Sequence, residues 1–355
     1  MNLPAVKFPR ISFGIIVLNG EPFTRYCLRQ LYPHAYEIIV VEGGSKKAAG
    51  FAPEGHSTDG TLEALREFKE QGDPENKIQI VTRDGFWSEK DEQSRAYAER
   101  ATGDYLWQVD IDEFYRHGDI DKVRAMLAAD PQIDAVSFKQ YAFWGSPGIV
   151  ADSFGQRSDR AEIYHRLFKW GRGYKYQAHR PPTAVDEQGV DLRQKRWITG
   201  EEMAKRKVFL FHYSLLFPAQ VWDKCRYYAT PTSVTSKGYA PGILDWAENS
   251  YFHLQRPFRV HNVYRHLSWL HRIDITHPEE AGRMWQDALS GKIKVELRDN
   301  RDAEALINNR YYHWAASLLS LMATMLKHPP LKWFRRIFLR VGNRLRRRGF
   351  IKEGM

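Results

Sequence analysis

The chain has 355 residues, of which 43% are hydrophobic and 27% charged, and its formal net charge is +10. This composition is typical of a globular protein and excludes a disordered, collagen-like or disulfide-stapled chain. Cys27 and Cys225 are the two cysteines, so we expect neither a disulfide framework nor a CxxC zinc site, and a reducing compartment fits best. We expect no secretory signal and no membrane-spanning helix, because no apolar run is long enough.

The positive charge is concentrated at the C-terminal end of the sequence. From Lys327 onward ten Lys and Arg residues oppose one acid, Glu353, which gives this tail a net charge of +9 and leaves +1 for the rest. The sequence pI of about 9.4 therefore describes the tail. Because the body of the chain is nearly neutral, we do not expect nucleic acid as its partner.

The first half of the sequence alternates between short apolar runs and amphipathic segments. Apolar runs rich in β-branched residues predict buried strands at 11–18, 36–41, 77–82 and 105–109. The amphipathic segments predict helices at 22–31, 62–70 and 91–101. This alternation indicates an α/β protein with a mostly parallel sheet and helices on both faces.

Polar residues follow the predicted strands at the points where they end. They are Asn19, Glu42, Asp84 and the acidic cluster 110–113. Ligands of open α/β sheets bind beyond the carboxyl ends of the strands, so we expect these residues to converge on a ligand.

The pattern changes in the second half. Strands are predicted at 135–143, 161–170, 174–178 and 207–211, and a helix at 218–228. From about residue 240 the chain is rich in His, Trp and Arg and then in helix-forming residues.

Asp110 and Asp112 directly follow the strand predicted at 105–109. Residues two apart in an extended segment lie on the same side, so both carboxylates face one way. Such oxygen ligands suit Mg²⁺ or Mn²⁺, and the metal can bind a diphosphate and neutralise charge on a departing phosphate. A solvated acidic turn is the alternative, but the strongly apolar strand before the pair favours a metal site.

Four segments of the first half together resemble the family-two glycosyltransferases, which have the GT-A fold. They are residues 13–19, EGGS at 42–45, STDGT at 57–61 and ATGDYLWQVDIDE at 101–113. Their order and spacing match the family over roughly residues 10–115. The resemblance implies an α/β, GT-A-type, Rossmann-like mixed sheet flanked by helices, with a helical C-terminal extension.

The resemblance also implies an organisation and an activity. We expect a nucleotide-sugar-binding half at 1–115, an acceptor-side half of the same domain at 116–235, a mostly helical extension at 236–326 and a basic amphipathic tail at 327–355. The implied enzyme is a metal-dependent, inverting glycosyltransferase of cell-surface glycan or lipid-linked saccharide synthesis. It would move a sugar from a nucleotide-diphosphate donor, with a UDP-sugar favoured, to a saccharide or lipid-linked acceptor.

Individual residues take roles from the same resemblance. Donor contacts are implied at Val17, Asn19, Glu42, Asp84, Arg95, Asp110, Ile111 and His179. Metal ligands for Mn²⁺ or Mg²⁺ are implied at Asp110, Asp112 and His212, and a core histidine is the alternative for His212. An inverting transferase needs a carboxylate as general base. Glu162 and Asp159 are the candidates, Asp186 lies in the same region, and a surface acid is the alternative for each.

The sequence departs from the family pattern at two places. Gly43 occupies the position of the second of two paired acids and leaves Glu42 as the one carboxylate of that turn. In addition, KKAAGFAPEGH at 46–56 separates the turn from STDGT, either as a mobile flap or, as we favour, as a surface insertion. Gln93 and Arg95 stand where related enzymes often have a polar pair facing the donor.

Two other functions stay open. A sugar-nucleotide pyrophosphorylase would need a GxGxRL-type loop after the first strand, and LNGEPF at 18–23 does not supply it. A non-catalytic membrane-surface scaffold with the same fold is the second alternative, although intact Asp110 and Asp112 argue against it.

The basic tail has helical spacing of apolar residues at Phe334, Ile337, Phe338, Val341 and Leu345. Such a basic amphipathic helix suits an anionic bilayer, to which each Lys or Arg contributes about 1 kcal/mol. RNA binding and a solvated tail are the alternatives. We therefore expect a cytoplasmic enzyme bound peripherally to the inner face of the membrane.

Overall fold

The computed structural model describes residues 8–158, 164–230, 242–261 and 267–326. The structure divides into two units. Unit 1 contains residues 1–140, 162–212 and 276–295, and unit 2 contains residues 141–161, 213–275 and 296–355. The chain thus alternates between the units, whereas the sequence predicted four consecutive parts.

The described elements follow in chain order. The strands are β1 (Ile11–Val17), β2 (Glu37–Glu42), β3 (Ile78–Val81), β4 (Tyr105–Asp110), β5 (Glu113–Phe114), β6 (Ala135–Phe138), β7 (Gln140–Trp144), β8 (Ser146–Ser153), β9 (Tyr164–Lys169), β10 (Lys175–His179), β11 (Pro182–Val185), β12 (Trp197–Ile198), β13 (Leu210–Leu215) and β14 (Ser268–Arg272). The helices are α1 (Thr24–Leu31), α2 (Thr61–Gln71), α3 (Lys90–Ala98), α4 (His117–Ala129), α5 (Phe154–Ser158), α6 (Gly200–Lys205), α7 (Pro218–Ala229), α8 (Ile243–Trp246), α9 (Glu279–Leu289), α10 (Arg301–Asn308) and α11 (Arg310–Leu326). None of these described helices has the length and apolarity needed to span a bilayer.

Unit 1 is built on a seven-stranded mixed sheet in the order β12-β6-β9-β4-β1-β2-β3. β1 pairs in parallel with β2 and β4, and β2 pairs in parallel with β3. β9 lies antiparallel between β4 and β6. The structure confirms the predicted α/β class, a mixed sheet flanked by helices.

The central strands are buried because they carry apolar residues on both faces. Every residue of β2 is buried, and so is every residue of β1 except the half-buried Ile16. At Gly14 a Cβ atom would lie 2.4 Å from the Tyr97 ring, so the glycine is needed for the close approach of α3 to β1. This packing fixes the sheet edge at which β1, β2 and β4 end.

The second half differs from its prediction in several respects: the strand predicted at 207–211 is β13, at Leu210–Leu215, and β8, β11, β12 and β14 were not predicted. The strand predicted at 135–143 is two strands, β6 and β7, with Lys139 between them. In unit 2, β8 pairs antiparallel with β7 and with β14. The pattern did not predict β8, since it begins with Ser146-Pro147-Gly148, residue types that favour turns.

Candidate functional site

The turn that follows β1 is held by the STDGT segment. Asn19 has a positive φ of 52°, and its backbone N–H donates to Ser57 Oγ over 2.9 Å. The Asn19 Oδ1 atom accepts from Thr58 N over 2.9 Å, and Gly20 N donates to Thr61 Oγ1 over 2.7 Å. The side chain of Asn19 therefore joins two loops at the carboxyl end of the sheet.

Glu42, at the end of β2, is fully buried, and both of its carboxylate oxygens have hydrogen-bond partners. Oε1 accepts from Ser57 N over 2.7 Å, and Oε2 lies 2.8 Å from His56 Nδ1. The His56 side chain is 30% exposed. The carboxylate at this strand end thus binds the protein's own loop, and the imidazole beside it is the group that solvent reaches.

The segment 46–56 packs closely against the sheet edge. Ala48 and Ala52 are fully buried, and Gly44 N donates to Gly55 O over 2.8 Å. At Gly55 a Cβ atom would lie 2.2 Å from Gly85 O, so this turn requires glycine. Five of the eleven residues of the segment are exposed, as expected of a surface insertion, but these contacts anchor it to unit 1 and do not favour a mobile flap.

The other donor contacts implied by the sequence have diverse surroundings. Val17 is buried, and its carbonyl accepts from Gly43 N over 2.9 Å, whereas Ile111 is half-buried. Asp84 and Arg95 are exposed. Gln93 is buried and donates through Nε2 to Gly43 O over 2.7 Å, so this residue supports the turn after β2.

The acidic cluster after β4 is organised by a buried arginine. Arg166, on β9, donates from Nε to Glu113 Oε2 over 2.8 Å and from Nη2 to Asp110 Oδ2 over 3.3 Å. Burial disfavours the charged forms, but Glu113 and Asp110 raise the pKa of Arg166 well above its usual value. Burial is the largest single influence on Asp110 and opposes its ionisation, but Arg166 and weaker nearby groups together hold the pKa of Asp110 well below its usual range. Asp110 is therefore ionised, and its side chain is 23% exposed.

β13 brings His212 to the same cluster, since His212 pairs with Glu113 of β5. The His212 Nδ1 atom lies 2.9 Å from Gln140 Oε1, which favours a proton on Nδ1. His212 Nε2 then carries the lone pair and lies 3.4 Å from Asp112 Oδ1. A carboxylate oxygen and an imidazole lone pair repel each other, so His212 Nε2 and Asp112 Oδ1 need a shared proton or a metal cation between them.

The residues present therefore fit a hard divalent cation in their chemistry. Asp110, Asp112 and His212 offer two carboxylates and one imidazole, a donor set that Mn²⁺ and Mg²⁺ accept. The three side chains are not oriented toward one common point, because Asp110 contacts Arg166. Among the described residues no group of three or more His, Cys, Asp or Glu side chains is already placed to hold a metal ion.

His179, at the end of β10, lies in the protein interior. Its Nδ1 atom lies 2.9 Å from Ser94 Oγ, and its backbone N–H donates to Asp91 Oδ1 over 2.7 Å. Burial holds the pKa of His179 well below its usual value, so the imidazole is neutral. Asp110 acts on this imidazole electrostatically, which places His179 near the acidic cluster.

The general base predicted from the sequence is not located. Glu162 and Asp159 lie outside the described residues. Asp186 is buried, forms an ion pair with Lys195, and accepts from the backbone N–H groups of Gln188 and Val190 over 3.0 and 2.9 Å. These bonds hold a turn together, which removes Asp186 from the set of candidates.

Sequence reasoning missed three residues that organise the site: Arg166, Gln140 and His56. A charged residue inside the apolar strand pattern RLFKW was the available signal for Arg166. Gln140 and His56 had no such signal, because their partners lie 72 and 14 residues away in the chain.

No protein-family model and no curated protein sequence matches the chain. Several solved structures, in contrast, are similar to the chain. The mannosyltransferase PcManGT from Pyrobaculum calidifontis, in complex with GDP-Man and Mn²⁺, is 17% identical with a TM-score of 0.40, over 90% of this chain and 87% of that one. TarS 1–349 from S. aureus is 12% identical with a TM-score of 0.39, over 92% of this chain and 91% of that one.

A third solved structure is similar over a shorter part of the chain. Glucosyl-3-phosphoglycerate synthase from Mycobacterium tuberculosis, in complex with Mn²⁺, UDP and glucosyl-3-phosphoglycerate, is 18% identical with a TM-score of 0.27. It covers 39% of this chain and 45% of that one. At such identities and TM-scores a similarity does not transfer an activity, since one fold hosts many functions. The function has to be argued from the site.

Proposed function

We propose that the chain is a glycosyltransferase that moves a sugar from a nucleotide-diphosphate donor to an acceptor hydroxyl with the help of Mn²⁺ or Mg²⁺. The observation that carries the proposal is the 3.4 Å approach of His212 Nε2 to Asp112 Oδ1 beyond the carboxyl end of β4, with the ionised Asp110 close enough to interact electrostatically with Asp112. This edge of an α/β sheet is where nucleotides bind. The three PcManGT, TarS and synthase structures agree with the proposal but do not carry it.

The chain's own residues would hold the metal through Asp112, His212 and Asp110. When bound, the cation would neutralise the negative charge that develops on the departing nucleotide diphosphate. Gln140 fixes the His212 ring so that Nε2 faces Asp112. Arg166 keeps Asp110 ionised and positions it beside Glu113.

The donor-side turn supports a role for His56 in place of Glu42. The Glu42 carboxylate is buried with partners on both oxygens, whereas His56 is partly exposed and oriented by that carboxylate. A carboxylate that binds Nδ1–H leaves Nε2 available as an acceptor. We therefore assign His56 to a hydroxyl or base N–H of the donor nucleotide, and Glu42 to positioning it.

The proposal extends to the donor, the stereochemistry, the acceptor and the cellular setting. A UDP-sugar is the favoured donor, and an inverting reaction on a saccharide or lipid-linked acceptor in cell-surface glycan or lipid-linked saccharide synthesis is the favoured setting. The +9 charge from Lys327 onward supports peripheral binding to the inner face of the membrane. Residues 327–355 lie outside the described part of the chain, so this statement depends on their composition alone.

Calorimetric titration with UDP and GDP in the presence of Mn²⁺ tests the proposal most directly. We expect one nucleotide diphosphate to bind in a metal-dependent manner and Asp112→Asn to abolish that dependence. Glu63→Gln, an exposed acid on α2, is the matched control and should bind as the unaltered chain does. If no nucleotide bound with any metal, a scaffold with this fold would replace the enzyme.

A further inference from the structure

Helix α11 (Arg310–Leu326) packs only one of its faces into unit 2. Tyr312, Ala316 and Ala323 are buried on that face, where they join a cluster that contains Phe154 and Trp269. The Tyr312 hydroxyl accepts from Leu270 N over 2.8 Å and donates to Pro257 O over 3.0 Å. The orientation of the helix on unit 2 is therefore fixed.

The same helix carries an uncovered apolar stripe. Tyr311, Trp314, Leu318, Leu321 and Met325 are 71%, 67%, 41%, 58% and 51% exposed. Successive members are three and four residues apart, so they lie along one line of the helix surface. We call these five residues the α11 stripe.

The remaining exposed surface of α11 is a narrow polar strip. His313, Ser317 and Thr324 are exposed on it. Between Tyr311 and Leu326 the sequence contains no Asp, Glu, Lys or Arg. A surface helix that is apolar beyond its packed face, with no charge over four turns, is expected to be covered by another surface.

We propose that the α11 stripe docks on the surface of an anionic lipid bilayer. The charge that follows the stripe in the sequence supports this occupant, because residues 327–355 carry +9. Apolar side chains that include Trp and Tyr, beside a strongly basic segment, match both the acyl boundary and the anionic headgroups of such a surface.

The proposal does not depend on the transferase activity, and it assigns two separable contributions. The basic segment acts through charge and is screened by salt over about 8–10 Å. The α11 stripe acts through apolar burial, which salt does not screen. Binding that persists at high salt should therefore belong to the stripe.

The experiment is co-flotation of the full chain with vesicles of phosphatidylcholine, with and without phosphatidylglycerol, at low and high salt. The triple variant Trp314→Gln, Leu318→Gln, Leu321→Gln should lose at least about tenfold in vesicle partitioning at high salt, because its apolar contacts are removed. The control Ser317→Gln, Thr324→Gln alters the polar strip of the same helix and should partition as the unaltered chain does. All five positions are exposed or face away from the cluster around Tyr312, so the thermal midpoint should stay unchanged.

A single variant keeps the test independent of folding. Trp314→Phe should retain partitioning, but it should lose the part of tryptophan quenching by brominated lipid that Trp314 supplies. Equal partitioning of the triple variant and the control at high salt would overturn the proposal. The proposal would also be overturned if the unaltered chain and the control were oligomers and the triple variant a monomer, because the stripe would then bind a second copy. Stronger vesicle binding after removal of residues 327–355 would overturn it too, because that segment would then cover the stripe.

Discussion

Two acids at the ends of β2 and β4, the strands on either side of β1, have different surroundings. Glu42, at the end of β2, is fully buried between Ser57 N and His56 Nδ1, both of which lie within hydrogen-bond distance. Asp112, just beyond β4, faces the lone pair of the His212 ring across 3.4 Å. The first carboxylate organises a loop of the protein, whereas the second faces an imidazole nitrogen across a gap that a shared proton or a cation would bridge.

The comparison teaches that the position of an acid at a strand end does not define its role. A carboxylate has about four acceptor sites, and the groups that fill them decide whether a ligand can bind. At Glu42 donors from the chain fill both oxygens. At Asp112 an imidazole nitrogen of His212 lies 3.4 Å from Oδ1, a separation that a shared proton or a cation would bridge.

Replacing Arg166 with Met should produce the largest effect. The change removes the guanidinium that Glu113 and Asp110 share and leaves Glu113 buried without its counter-charge. Loss of one partner of a buried ion pair costs about 3–5 kcal/mol in the free energy of unfolding. Urea denaturation measures this loss of stability. The control is Arg25→Met, because Arg25 forms an exposed ion pair with Glu67. A loss below about 1 kcal/mol, the range of surface pairs, would show that Arg166 does not hold the cluster together.

Asp112→Asn should separate activity from stability. Asn Nδ2–H can donate to His212 Nε2, so the fold should be retained. Turnover of donor should fall by more than the roughly 10–100-fold typical of changes around a metal's ligands, since an anionic ligand is removed. Donor hydrolysis at increasing Mn²⁺ concentration provides the measurement. Undiminished turnover of the variant in chelator would show that Asp112 binds no metal.

The fold of the first half could be predicted because its signal is local. The β-branched runs at 11–17 and 37–42 and the breaks after them specify buried parallel strands, and the polar residues at their ends follow from the same pattern. Strand β9 could be placed only approximately, and β8 was missed because Pro147 and Gly148 favour a turn. The sheet edge at which β1, β2 and β4 end was therefore predictable, whereas the strands of the second half were much less so.

The roles of site residues could not be predicted as well, because they depend on partners distant in the chain. Glu42 was expected to contact the donor, but Ser57 and His56 fill its oxygens. Gln93 was expected to face the donor, but it donates to the carbonyl of Gly43, fifty residues earlier. Hydrogen-bond partners of this kind are set by tertiary packing, which a single sequence does not specify.

Glu42→Gln is the counterpart of Asp112→Asn at the other strand end. The amide supplies one acceptor and one donor where two acceptors are used, so either Ser57 N–H or His56 loses its partner. An unsatisfied buried group costs about 1–3 kcal/mol. The thermal midpoint should therefore fall for Glu42→Gln and stay constant for Asp112→Asn. If both variants melted alike, the contrast between the two strand ends would be wrong.

His212→Ala should weaken nucleotide-diphosphate binding in Mn²⁺ by about 1.5–3 kcal/mol, which is the range for hydrogen bonds to charged groups. The thermal midpoint without ligand should hardly move, because the His212 side chain is 15% exposed and bonds one amide. Gln140→Leu sharpens the test, since it releases the ring without removing it and should give a smaller loss. A large drop in unfolding temperature with unchanged nucleotide affinity would identify a core histidine.

His56→Ala should have the smallest effect, and it decides whether the loop or the strand contacts the donor. The partly exposed imidazole would contribute one neutral hydrogen bond, worth about 0.5–1.5 kcal/mol, so nucleotide affinity should fall by roughly 2–12-fold. His56→Gln retains an acceptor and should recover part of that loss. Titration with UDP beside inorganic pyrophosphate separates the contributions, because a contact to the base or ribose affects only UDP. Equal weakening of both ligands would mean that His56 acts on the diphosphate or on the loop as a whole. Unchanged affinity for UDP would show that the nucleoside binds at another part of the sheet edge and that Glu42 and His56 have only a structural role.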